Sequence, residues 1–247
     1  MIQKSLEVIG EYYLLMCRVF QKPDKWKIFW KQYIKEADKL ILNSIPIICF
    51  ISIFIGAVIV IQTASNIESP FIPKMYVGYM VRESLVLEFC STMIALILAG
   101  KIGSNIASEI GSMRITEQID AIDIMGINSA NYLILPKIVA SATLSPFLML
   151  ASFMVGLVGG ALIIMATGIV TLSQYSDGLQ FSFNIYYIYY SMTKMAVFSF
   201  LITSICSFYG YYAKGGSLGV GHSSTKAIVV SSCLILIFNL LLTQIML

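Results

Sequence analysis

Charge is scarce in this 247-residue chain: Asp, Glu, Lys and Arg together make up 12% of it, about half the share of an ordinary soluble domain. That shortage excludes a solvated globular protein, and a net charge of +3 says little about partners and does not point to nucleic acid. Histidine occurs once, at His222, so a Ser/His/Asp constellation has no home and no hydrolase is expected. The five cysteines, Cys17, Cys49, Cys90, Cys206 and Cys233, are scattered through mostly apolar segments. They form neither a metal-ligand spacing nor a disulfide framework and are read as small core-filling residues. A cleavable signal peptide is not expected either, because Glu7, Glu11 and Arg18 interrupt what would be its apolar core. What is abundant is hydrophobicity. Apolar residues reach 58%, mean hydropathy is +0.84, and the apolar runs are long enough to cross a bilayer, which takes about 20 helical residues. The chain is therefore expected to be an all-α polytopic membrane protein.

Residues 1–39 alternate apolar and charged groups at helical spacing. Leu6, Ile9, Tyr13 and Met16 share one face, and Trp26, Phe29, Trp30, Tyr33 and Ile34 follow a break at Lys22, Pro23 and Asp24. With six lysines between Lys22 and Lys39, this pattern suits helices lying in the headgroup region, indoles at the interface and ammonium groups toward anionic lipid. A larger domain over 40–247 follows, with five transmembrane helices expected at about 40–61, 85–101, 137–170, 188–211 and 227–246. The second follows a loop containing Pro70 and Pro73. The third apolar region, 132–170, holds Pro136 and Pro146 and is expected to be an approach segment followed by a kinked span. Its Gly156 and Gly160 form a GxxxG pair that permits close helix contact. Five spans put the termini on opposite sides. Grouping the N-terminus, 101–137 and 214–226 on one side collects 13 of the 16 basic residues there, leaving Lys74, Arg82 and Lys194 on the other. The positive-inside rule then places the N-terminus in the cytoplasm and the C-terminus outside.

Between the second and third spans, residues 104–126 read as an amphipathic helix, its start broken by Gly111 and its end by Gly126. Ile115, Ile119, Ile122 and Met125 lie on one side, and Glu109, Asp120 and Asp123, flanked by Glu117, on the other. Such an acidic face serves either as a docking helix for a basic cytoplasmic partner or as a solvated loop helix, and the residues alone leave both open. The segment from Gly216 to Ser223 nearly matches the phosphate-cradling GxxxxGK[ST] pattern. His222, however, stands where the lysine must be and no strand precedes it, so a tight flexible connection is expected instead. Glu88 begins an apolar run with no further charge until Lys101. An intramembrane carboxylate is by default a functional-site candidate, with Lys194 as its counter-charge, and a hydrated interfacial position is the alternative. Tyr76, Tyr79 and Arg82 lie at similar depth and would complete a polar collar, with Leu85, Val86 and Met93 lining an acyl-chain path.

Three blocks of the sequence resemble one family. AGKIGSNIASEIGSMRITEQIDAIDIMGI (99–127) resembles the signature AGRxGxxxAxELGxMxxxEQIDALxxMG of MlaE-type ABC transporter permeases. SIPIICFISIFIGAVIVIQ (44–62) is similar to the family's first span, and FYGYYAKGGSLGVGHSSTKAIVVS (208–231) to its last cytoplasmic loop. Departures are Lys101 for Arg, Ile110 for Leu, Ser224 for Thr, and Cys90-Ser91 where the family has Gly-Pro after the span-two glutamate. The resemblance implies a homodimeric, non-catalytic permease of the bacterial inner membrane, moving phospholipid between inner and outer membranes. It implies a cytoplasmic ABC ATPase subunit that binds the ATP and Mg, so no cofactor in this chain. A periplasmic MCE-domain lipid-binding protein, and in some systems a small STAS-like cytoplasmic subunit, would complete the complex. The segment carrying Glu109, Met113, Arg114, Glu117, Gln118 and Asp120 would then be the ATPase-coupling helix. Glu88, Arg82, Tyr79, Lys194, Leu85 and Met93 would be the lipid-path candidates. An integral-membrane lipid-modifying enzyme and a membrane scaffold are the competing readings. The first lacks a catalytic cluster, and an assay of lipid transfer separates all three.

Overall fold

In hydrocarbon every backbone N–H and C=O must find its partner within the protein, and a helix does this segment by segment. The computed structural model describes residues 2–22, 25–67 and 73–247, with side chains described from Leu6 onward. Among these residues there are helices and no strand. They are α1 (Ile2–Val19), α2 (Trp26–Asn66), α3 (Met75–Ile115), α4 (Gln118–Ile124), α5 (Ser129–Thr167), α6 (Leu172–Gln180), α7 (Tyr186–Tyr211) and α8 (Gly216–Met246). Five of them, α2, α3, α5, α7 and α8, are long and apolar enough to cross a membrane. Their outward faces carry exposed ridges such as Phe50, Phe54 and Val58 on α2, Met154, Val158 and Leu162 on α5, and Ile237, Leu240 and Ile245 on α8. Ridges of that size suit lipid rather than water.

Several elements run further than hydropathy suggests. The amphipathic segment from Trp26 continues into the first span through a π-helical turn, Ala37–Ile41, and a 3-10 turn, Leu42–Ser44. The expected Pro23–Asp24 break and Pro70 lie outside the described residues. Tyr76, Tyr79 and Arg82, expected in a loop, are helical, because α3 starts at Met75. The expected approach segment and kinked span are one 39-residue helix, α5, with Pro136 and Pro146 inside it. Likewise 216–226 is the start of α8 rather than a flexible connection. Gly111 does not break a helix. It lies within the helix Ser104–Ile115, where a Cβ would meet the Val220 side chain at 3.0 Å. The break falls at Glu117, whose left-handed φ of 59° separates α3 from α4, so the single expected amphipathic helix is two. Gly126, with φ +79°, does end the segment. The sequence reading missed α6, although Thr171 and Gln174 form a capping box ahead of it.

The chain divides into two compact units. The first comprises Met1–Leu42, Ala95–Leu144 and Ala196–Leu241, and the second Asn43–Ile94, Ser145–Met195 and Leu242–Leu247. The first is tied by side chains. Ser141 and Thr203 share a hydroxyl bond at 2.6 Å and Ser129 meets the Tyr211 hydroxyl at 2.9 Å. At the end of α1, Asn131 donates to the carbonyls of Val19 and Gln21 at 2.8 and 2.6 Å, satisfying acceptors the helix itself leaves open. The second unit adds close backbone approach to side-chain bonds such as that between Ser52 and Ser152 at 2.7 Å. A Cβ added to Gly56 of α2 would lie 1.9 Å from the Gly156 carbonyl oxygen of α5, and one at Gly159 would lie 2.3 Å from that of Ile53. Only glycine permits that approach at Gly56 and Gly159; of the expected Gly156/Gly160 pair, Gly156 supplies the backbone that Gly56 meets, and a Cβ on Gly160 would lie 2.6 Å from the Tyr175 hydroxyl.

Candidate functional site

Glu88 and Lys194 come together. Glu88 sits in a π-helical stretch of α3, Leu85–Met93, a wide form of helix found often at functional positions. The Lys194 ammonium lies 3.0 Å from Glu88 Oε1 and donates also to the Tyr190 hydroxyl at 2.8 Å, Thr243 Oγ1 at 3.2 Å and the Leu87 carbonyl at 3.3 Å. Thr92 donates to Glu88 Oε2 at 3.1 Å. Lys194 is fully buried, whereas the Glu88 side chain stays 42% exposed. A buried ammonium needs this many acceptors because its desolvation is otherwise prohibitive. The cation is sealed and the carboxylate is on view.

Arg82 is placed elsewhere. Its guanidinium donates to the carbonyls of Leu179 and Phe181, at 2.7 and 2.9 Å, closing the end of α6, and to Glu83 Oε1. Tyr79 and Phe183 rings flank it at 5.1 and 5.5 Å. The side chain is almost wholly buried, so Arg82 holds structure and does not join a collar with Glu88. Tyr79 and Glu83 instead border an open cleft of about 520 Å³ with Gln62, Asn66, Phe89 and Tyr187. Leu85 and Val86, expected along an acyl path, are buried in the second unit's core, and Met93 is exposed. Tyr76 packs edge-on against Tyr79 and Phe181.

In the first unit, Glu109 is engaged within the chain and is not offered to a partner. Its carboxylate bridges Lys39 at 2.8 Å and Lys137 at 2.7 Å, and Lys137 also meets Glu36 at 2.7 Å. This four-residue network pins the start of α2 to α3 and α5. The outward surface belongs to α4 and its approach. Arg114 pairs with Asp120 at 2.6 Å, Met113 is half-buried beneath, and Glu117 and Gln118 are exposed. Ile119 is buried, but Ile124 is 86% and Met125 67% exposed. Neither apolar residue was singled out as protruding, because the helical wheel placed Met125 on the buried side. The break at Glu117 resets the phase of that wheel. An apolar knob ringed by Glu117, Asp120 and Asp123 is a shape made to enter an apolar groove with a basic rim.

Comparison with known proteins adds an independent line. Residues 33–245 match the family described as Permease MlaE. A probable ABC transporter permease protein of Rickettsia felis is 33% identical over 98% of this chain and 93% of its own length. The intermembrane phospholipid transport system permease protein MlaE of Haemophilus influenzae is 28% identical over 95% of this chain and 89% of its own. The chloroplastic protein TRIGALACTOSYLDIACYLGLYCEROL 1 of Arabidopsis thaliana is 28% identical over 89% of this chain and 63% of its own.

Proposed function

The chain belongs to the MlaE permease family, and from that premise we propose that it is the dimeric membrane subunit of an ABC transporter moving phospholipid between two membranes. In this reading the chain performs no covalent chemistry. ATP and Mg are bound and turned over by a separate cytoplasmic ATPase subunit, and an MCE-domain protein receives or supplies lipid on the periplasmic side. The observation that carries the reading is α4, a short helix with an exposed apolar tip and an acidic surround, anchored by the buried Ile119 and paired at the surface with Arg114. It is suited to transmit the motion of an ATPase to α3 and α5, the helices it joins. Glu88 and Lys194 supply a polar station inside an otherwise apolar stretch, where a headgroup can be handled.

The bias of 13 basic residues out of 16 supports an inner-membrane orientation with a cytoplasmic N-terminus and periplasmic C-terminus. A reporter fused after Leu247 is expected to be active only in the periplasm and one near Ser217 only in the cytoplasm; the reverse at either position removes the five-span topology. Function is tested by reconstituting the permease with its ATPase in vesicles and following labelled phospholipid into acceptor vesicles. Transfer that needs both ATP and the permease is expected. Transfer without the ATPase, or none with the intact complex, would end the reading.

A further inference from the structure

In the second unit α3 carries two carboxylates, Glu83 and Glu88, whose cationic partners are both buried, while the unit's remaining basic residue, Lys74, is exposed outside the cleft. Lys194 and Arg82 are each wrapped by acceptors and withdrawn from the surface, while their partners Glu88 and Glu83 face outward or border the cleft. Among the described residues, no lysine, arginine or histidine lines the 520 Å³ cleft. Its lining combines Glu83 with the rings of Phe89 and Tyr187 and the neutral groups of Gln62, Asn66 and Ser84. Both contacts from Arg82 fall on Glu83 Oε1, so Oε2 keeps its acceptor capacity. A carboxylate beside aromatic faces is cation-recognition chemistry, the face of each ring adding its quadrupole to the ion pair. Recognition of an anionic group would call for accessible arginine, lysine or a set of backbone N–H donors instead.

We propose that this cleft binds the ammonium end of a zwitterionic phospholipid headgroup, ethanolamine or choline, and selects against headgroups carrying only negative charge. The ammonium sits at Glu83 between Phe89 and Tyr187, and the neutral amide and hydroxyl groups donate to the phosphate. A phosphatidylglycerol in the same place brings the same phosphate but no ammonium for Glu83 Oε2, and Arg82, sealed against Oε1, is too buried to meet the added anion. This deepens the transport reading and rests on it for the identity of the ligand as a lipid.

The test uses the full chain, purified in detergent and exchanged against equimolar phosphatidylethanolamine, phosphatidylcholine and phosphatidylglycerol, with retained lipid measured by mass spectrometry. The two ammonium lipids are expected at about tenfold over phosphatidylglycerol, the scale of one partly desolvated ion or cation–π contact. Glu83→Gln, which keeps the shape, is expected to bring that ratio to about twofold or less. Tyr187→Leu is expected to lower choline lipid more than ethanolamine lipid, and it carries the test if Glu83→Gln proves unstable. Equal retention of phosphatidylglycerol by the unaltered protein overturns the proposal, as does an unchanged ratio in a Glu83→Gln protein whose unfolding midpoint is intact. Running the ATP-driven transfer assay on the same lipids keeps the two ideas separate. Selective retention without transfer removes the transport reading and leaves the site; transfer without selectivity removes the site.

Discussion

The two units hold a buried lysine by different means. In the first, Lys137 lies between the carboxylates of Glu36 and Glu109, and Lys39 completes a network with two charges of each sign. In the second, Lys194 has one carboxylate and relies on hydroxyls and a carbonyl for its remaining donors, while that carboxylate looks outward. A closed network buries the lysine between two carboxylates; in the second unit the single carboxylate, which also accepts from Thr92 and Thr243, stays 42% exposed. The packing differs too. Side-chain bonds tie both units, but the helices of the second approach more closely, at Gly56 and Gly159, than those of the first do at Gly210, where a Cβ would lie 2.9 Å from the Ala107 carbonyl oxygen.

Substitutions can break this contrast, and the largest effect on stability is expected at Gly56. Gly56→Ala forces a Cβ onto the Gly156 carbonyl, and chemical unfolding in detergent should show a loss of about 3 kcal/mol. Gly103→Ala in the first unit meets only the rotatable Cys206 thiol, and should cost about 1 kcal/mol or less. Equal costs at the two sites would refute the packing contrast. Next comes Lys137→Met, which strands Glu36 and leaves Glu109 with Lys39 alone. A loss of about 2–3 kcal/mol is expected, at or below the usual range for half a buried pair because both carboxylates reach some solvent.

Lys194→Met should cost less, about 1–2 kcal/mol, since Glu88 is open enough to be hydrated. Adding Glu88→Gln should recover part of that stability without recovering lipid transfer. If Lys194→Met proves costlier than Lys137→Met, the distinction between closed and open charge fails. The smallest stability effect belongs to α4. Glu117→Lys with Asp120→Lys should change unfolding by less than about 0.5 kcal/mol, as exposed charges do, yet release the ATPase subunit in co-purification. Ile124→Ser should do the same through loss of the apolar knob. Normal co-purification in both variants would show that α4 is not the docking element.

Much of the molecule was legible in the sequence. Apolar runs announced five spans, Gly126 announced the end of the α4 segment, and Glu88 found Lys194, the counter-charge proposed for it. The collar around Glu88 was not legible. Arg82 stands in the right part of the sequence, but six residues along, on a helix, it points toward the end of α6, an element whose Thr171–Gln174 capping box went unread. Glu109 failed for a related reason. Its charge marked it as a docking residue, whereas Lys39 and Lys137, 70 and 28 positions away, claim it.

Composition and periodicity by themselves determined that this chain is helical and membrane-spanning, since length, hydropathy and the bias of basic residues are properties of segments. The three signature blocks determined its family. Which polar residue is buried, which is offered to a ligand and which glycine touches a neighbouring backbone were decided only by tertiary structure. Those outcomes depend on the phase of each helix and on partners distant in sequence. A single residue at positive φ, Glu117, or one π-helical stretch around Glu88, is enough to turn a face that a helical wheel would place elsewhere.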